Sequence, residues 1–285
     1  MSHGFRLFGR TDEHLAACVD QFDPPVPFTI HGLQSRLEQH SGRAVRLLSA
    51  TMPPGAPSGA WLQTGSTDFL FYEEQTSPFH QAHIVSSLAA HIVLGDKAVG
   101  RITRQLVPKV DLPLGRMIPG SQIGDAISRA EAEQFAFEVL RRSGLFPGEL
   151  RARLLLRRLR PLRSALLAAV PSAAQTTIAP GAPRDATFRL YCAVIEVRDA
   201  ALALGPYSAT GTAVTVPAQT SRGEATDQPL SLAALAAFLI RGRDVAAIGG
   251  PQKRYFDAPR LVSSPADLFV EAVRLSEVSQ TFVQS

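Results

Sequence analysis

The chain has 285 residues, 45% of them hydrophobic and 19% charged, with a formal net charge of +4. That balance suits a folded protein of one or two domains and excludes a disordered chain. Ser231–Ile240 is too short an apolar run for a membrane span, the segment MSHGFRLFGRTDEH lacks a signal-peptide core, and Cys18 and Cys192 have neither metal nor disulfide spacing, so free thiols in a cytoplasmic protein are expected.

In chain order, the first 25 or so residues read as an arm or short helix. A helix over His31–His40 follows, with Leu33 and Leu37 at i,i+4 on one face. Ala44–Ala50 and Gly59–Thr64 read as strands separated by the turn residues Met52-Pro53-Pro54-Gly55, and Thr67–Glu73 as a third, rich in aromatic residues. The next helix starts with Ser77 as N-cap and Pro78 in the first helical position, and Gly95 stops it. A Pro/Gly-rich connection over 107–124 leads to a helix over Ser128–Arg142. Glu73 and Glu74 are neighbours on a strand, so they point to opposite faces and do not form a paired-carboxylate site.

Residues 76–95, TSPFHQAHIVSSLAAHIVLG, carry the most informative pattern in the chain. Together with Pro57-Ser58-Gly59-Ala60-Trp61-Leu62 and Asp68-Phe69-Leu70-Phe71-Tyr72-Glu73, they resemble the ImmA/IrrE-like family of zinc metallopeptidases of high-GC bacteria. In that family two strands lead into a helix bearing H-E-x-x-H, whose histidines bind zinc while the Glu is general base. Here the window is Ser87-Leu88-Ala89-Ala90-His91. His91 matches a ligand, Ser87 replaces the other, and Leu88 replaces the base. A third ligand is implied at Glu131, in Glu131-Ala132-Glu133-Gln134-Phe135-Ala136. The resemblance spans roughly residues 25–145. It implies an α+β fold: a zincin-like N-terminal domain over 1–146, with a small antiparallel sheet plus helices, followed by a mostly α-helical domain over 147–285.

What could such a cleft still do? His83 and His91 are eight residues apart, about 12 Å along a helix, too far to share a metal directly. The expectation is no cofactor and no active zinc protease, with His91 and Glu131 as vestigial ligands. Leu88, with Trp61, Phe71, His83, Ile84 and Ser87, would line a drier, ligand-binding pocket. His91 and Glu131 are candidate catalytic residues, a metal-free acid/base pair. The plainer alternative is that they join two helices by a hydrogen bond. His80 and His83 have a structural alternative too, as hydrogen-bonded core or cap histidines.

Beyond Gly148, the segments Leu159-Arg160-Pro161-Leu162, Ala169-Val170-Pro171 and Phe188–Asp199 are similar to an uncharacterised helical domain of high-GC bacteria. Asp185 is placed to cap a helix with Leu190, Val194, Val197 and Ala201 on one stripe, although the β-branched run also allows a strand. Ser208–Gln228 reads as a long loop, with helices around Ser231–Arg241 and Pro265–Ser279. Between Arg141 and Arg163 the charge is strongly basic. One reading is a solvated helix face backed by buried Leu154, Leu155, Leu159 and Leu162. The other is a footprint for nucleic acid or an anionic surface.

Two functions follow from these expectations. The first is a pseudo-protease that binds a small ligand, a peptide or a protein partner in a regulatory role. The second is a repurposed, metal-independent enzyme of secondary metabolism, of cyclase, lyase or isomerase type.

Overall fold

The computed structural model describes residues 12–52, 56–95, 116–119, 129–174, 185–208 and 268–284, with four helical positions between 239 and 244. Of the connection read over 107–124 only Arg116–Pro119 is described, and it is a strand because it pairs along Ala60–Gln63; the readings over 208–228 and 231–238 lie outside this set, apart from the helical Ser208.

Two short helices come first, α1 (Asp12–Phe22) and α2 (Ile30–Ser41). Thr29 caps α2 by accepting the Gly32 amide at 2.9 Å, and Gly42 ends it at φ +66°, a conformation that favours glycine. Leu33 and Leu37 are buried, as their i,i+4 spacing requires. Four strands follow: β1 (Ala44–Ala50), β2 (Gly59–Gln63), β3 (Thr67–Glu73) and, later, β4 (Arg116–Pro119). Their order is β1-β3-β2-β4. The β1–β3 pair is parallel and the others antiparallel, so the sheet is mixed rather than antiparallel as expected. The reason is the connection. β2 lies one position beyond β1's neighbour, and the tight β2–β3 turn folds β3 back into the gap, pointing the same way as β1. Thr64 closes that turn, its amide donating to the Thr67 carbonyl at 2.9 Å.

Register decides which side chains share a face. Trp61 pairs with Leu70 on the side facing the main core, whereas Ala60 pairs with Phe71 on the other side. There Ala60, Leu62 and Phe71 form a small second cluster with Leu48, Met52 and Phe69.

Helix α3 (Pro78–Val93) packs on the sheet, on α2 and on α4 (Arg129–Arg142). It is buried on nearly every side, which its apolar composition allows. Gly59 sets its distance from β2. A methyl group there would stand 2.5 Å from Ile84 Cγ2 and 3.2 Å from Leu88 Cδ1, so only glycine admits this approach. Helix α4 is held to α1 by Arg142, 2.9 Å from Asp20, and by the ring contact of Phe22 with Phe135.

The long helices that follow among the described residues are α5 (Glu149–Ala169), α6 (Ala186–Ser208) and α7 (Leu268–Gln284). Phe188–Asp199 is helix, not strand: Asp185 Oδ1 accepts the Phe188 amide at 2.7 Å and starts α6. The buried stripe of α5 is Ala152, Leu155, Leu159, Leu162 and Leu166. Leu154, expected in that stripe, is 49% exposed. It lies about 100° around the helix from Leu155, on the solvent side. Pro161 sits inside α5 and cannot donate a helical hydrogen bond. The neighbouring Leu162 amide donates instead to Ser279 Oγ of α7 at 3.3 Å. Arg198 of α6 and Glu271 of α7 form a buried ion pair.

One hydrophobic core runs across the boundary expected near residue 147. Phe79 and Phe137 from the first half meet Phe146, Phe188 and Tyr191, with edge-on ring contacts dominating.

Candidate functional site

Helix α3 is the natural starting point, because its sequence carries most of the chemistry-bearing residues. Ser77 Oγ accepts the His80 amide at 3.2 Å and Pro78 opens the first turn, so the helix start is set by local residues alone. From there the 3.6-residue period sends different residues to different neighbours. Ile84 and Leu88 face β2 over Gly59, and Leu88 is only 3% exposed. Ser87 is half-buried, and His91 lies buried in the last turn. Glu131 is half-buried in the first turn of α4, on the helix packed beside α3.

Trp61 is buried, its indole N–H donating to Asp68 Oδ1 at 3.0 Å. Asp68 is held in turn by Arg43 Nε at 2.7 Å. Phe71 is buried on the opposite face of the sheet. Trp61, Ile84 and Leu88 therefore share the main core, and Phe71 stands apart from them.

His80 and His83 lead into a polar cluster at the junction of α3, α4 and α6. His83 Nδ1 lies 2.6 Å from Tyr191 Oη, and its Nε2 lies 3.5 Å from Glu133 Oε2. His80 Nδ1 lies 2.8 Å from Thr76 Oγ1, and its Nε2 lies 3.3 Å from Asp199 Oδ1. The two imidazoles stack, centroids 5.6 Å apart and 10° from parallel. Each string runs hydroxyl, imidazole, carboxylate. In a neutral ring whose Nδ1 accepts from the hydroxyl, the ring proton sits on Nε2, on the carboxylate side. The phenol is a dependable donor, since burial, reinforced by the Glu133 charge, holds the Tyr191 pKa well above its ordinary value. The His80 Nε2–Asp199 and His83 Nε2–Glu133 Oε2 approaches are both close contacts lying off the hydrogen-bond axis.

The composition of each string is that of a nucleophile–base–acid relay. Its placement is different: Thr76, His80, His83, Glu133 and Tyr191 are all buried. What the cluster does physically is tie α3 and α4 to α6 through polar groups that pair inside the core.

Two more titratable groups complete the surroundings. Glu73 precedes α3 and accepts the Met52 amide at 2.9 Å and the Gln75 amide at 2.8 Å. Burial outweighs these bonds and raises its carboxyl pKa. Cys192, next to Tyr191, is buried, which pushes its thiol far up and leaves it unreactive. Among the described residues, no group of three or more His, Cys, Asp and Glu side chains is placed to hold a metal ion.

Of the expected site residues, His83, Ile84, Ser87, Leu88 and His91 share α3, but they address different neighbours. Thr76, Glu133, Tyr191 and Asp199 were not anticipated. Glu133 lies within the Glu131–Ala136 run, and its spacing of two from Glu131 signals a different face of α4. Tyr191 is 108 residues from its partner His83, and no local pattern links them.

Comparison with known proteins adds one finding. Residues 149–285, from the first residue of α5 onward, match a family of unknown function, DUF6545. No curated protein and no solved structure matches the chain.

Proposed function

We propose that the chain is a non-cleaving, zincin-like protein that works by binding a small ligand, a peptide or a partner, in a regulatory role. The observation that carries this reading is the fate of the position matching the general base. Leu88 is packed into the core over Gly59, where a carboxylate would be desolvated and could not activate water. The neighbouring position that matches a metal ligand is Ser87, half-buried and without an imidazole. What remains of the ligand set is His91 on α3 and Glu131 on the adjacent α4.

The substitution Ser87→His tests the descent without disturbing Leu88. It would set two imidazoles one turn apart, the spacing a zinc helix uses. Elemental analysis and calorimetry should then find one zinc per chain in the variant. A folded variant that binds no zinc would sink the reading. Native mass spectrometry of the unaltered protein tests the binding role: a retained organic molecule or peptide supports it. A chain that cleaves unstructured protein substrates with zinc supplied would overturn it.

The repurposed-enzyme reading draws on the packing of α3 against α4, the helices that carry His91 and Glu131. It predicts turnover of a retained small molecule that His91→Ala and Glu131→Gln each abolish.

A further inference from the structure

Helix α5 presents an outer surface that nothing in the α3 site explains. Leu150 is 80% exposed and Leu154 49%, and they stand one turn apart on the same face. Arg157 and Arg158 continue that row at the next turn, with Arg153 and Arg160 along one side. Three cations of this stretch are engaged: Arg153 with Glu149 at 3.0 Å, Arg163 with Glu196, and Arg151 over the Phe269 ring at 5.3 Å. Arg157, Arg158 and Arg160 are exposed and make no ion pair with a described residue. The row from Leu150 to Pro161 is about 16 Å long at the helical rise.

This pattern selects among polyanions. A nucleic acid would neutralise the three arginines through its phosphates and leave both leucines in water. A bilayer bearing anionic headgroups takes both kinds of side chain at once: guanidinium groups reach the phosphates while leucines enter the acyl boundary. A convex helix ridge, cationic and apolar along one line, also suits a flat surface. We propose that α5 lays its Leu150–Pro161 row on the surface of an anionic lipid bilayer, a peripheral docking that requires no spanning segment. The arginines supply attraction and the leucines supply retention.

The experiment is sedimentation of the full chain with vesicles of phosphatidylcholine alone and of phosphatidylcholine with phosphatidylglycerol. Binding is expected only to the anionic vesicles and should weaken as salt rises. Arg157→Gln/Arg158→Gln/Arg160→Gln should lower the affinity by about a hundredfold, at roughly fivefold per arginine near such a surface. Leu150→Ala/Leu154→Ala, which keeps every charge, should lower it by about tenfold. All five positions are exposed, so circular dichroism and thermal unfolding can verify that each variant is folded. Absence of binding, equal binding to neutral vesicles, or binding that survives the triple arginine change would overturn the proposal. So would full binding by the leucine variant together with displacement by a short DNA duplex, an outcome that would assign the row to nucleic acid.

Discussion

Helices α3 and α5 look alike in sequence terms, since each combines apolar residues with an unusual density of one functional type. The fold treats them oppositely. Helix α3 is covered by the sheet, α2, α4 and α6, so its three histidines are buried, and His80 and His83 meet Thr76, Asp199, Tyr191 and Glu133. Among the described residues, helix α5 is covered on the side where Ala152, Leu155, Leu159, Leu162 and Leu166 pack, and Arg157, Arg158 and Arg160 stay exposed. The lesson is that a chemistry-bearing side chain is free to act only where the fold leaves a direction open. A buried polar group must find a partner, because leaving it unpaired costs more than the pairing returns.

The comparison is tested most strongly with matched truncations. Leu88→Ala in α3 should cost about 2–5 kcal/mol, because the cavity over Gly59 cannot refill. Leu154→Ala in α5 should stay within about 0.5 kcal/mol, as a surface change. Urea unfolding measures both, and equal losses would break the distinction between the two helices.

Next in size are changes that probe the wiring of α3. Tyr191→Phe removes the hydroxyl that pairs with His83 and leaves a buried imidazole nitrogen short of a partner, for an expected loss of about 1–3 kcal/mol. Gly59→Ala pushes a methyl group against Ile84 and should cost about 1–3 kcal/mol by overpacking. Combining it with Ile84→Ala should cost less than the two single losses added, since the smaller side chain makes room. Additive losses would mean that Gly59 does not set the helix–sheet distance.

Smaller effects sharpen the picture. In the native protein, alkylation should modify the partly exposed Cys18 and spare Cys192 until unfolding, as followed by mass spectrometry. Glu73 bears on pH. Its folded pKa lies above the ordinary 4.5, so the folded state holds that proton more tightly than the unfolded chain. Stability from this group is therefore present below the ordinary value and is lost as pH rises from 4.5 through the folded pKa. Glu73→Gln should remove that part of the pH slope, and an unchanged slope would contradict the raised pKa.

Much of the local structure was legible in the chain, for a common reason. Ser77 and Pro78 at the start of α3, Asp185 before α6, and the aromatic alternation of Thr67–Glu73 all act within one turn or one strand. Their signals need no partner from elsewhere. The failures have a common reason too. Trp61 and Phe71 read as neighbours in one pocket, but the β2–β3 register places them on opposite faces. Leu154 read as core because α5 is rich in leucine, and only the packing of α6 and α7 shows which arc is covered. The parallel pairing of β1 with β3 depends on where the β2–β3 turn folds back, which strand composition does not encode.

What the chain by itself determined is most of the elements and their caps, with β4 inside the expected 107–124 connection as the exception. These follow from backbone preferences and side-chain chemistry acting over a few residues. What only the tertiary structure decided is the environment of each candidate residue. His83 meets Tyr191 across 108 positions, Leu88 closes over Gly59, and Arg157, Arg158 and Arg160 stay in solvent. Burial and pairing are properties of what lies opposite a side chain, and that neighbour is chosen only when distant elements pack.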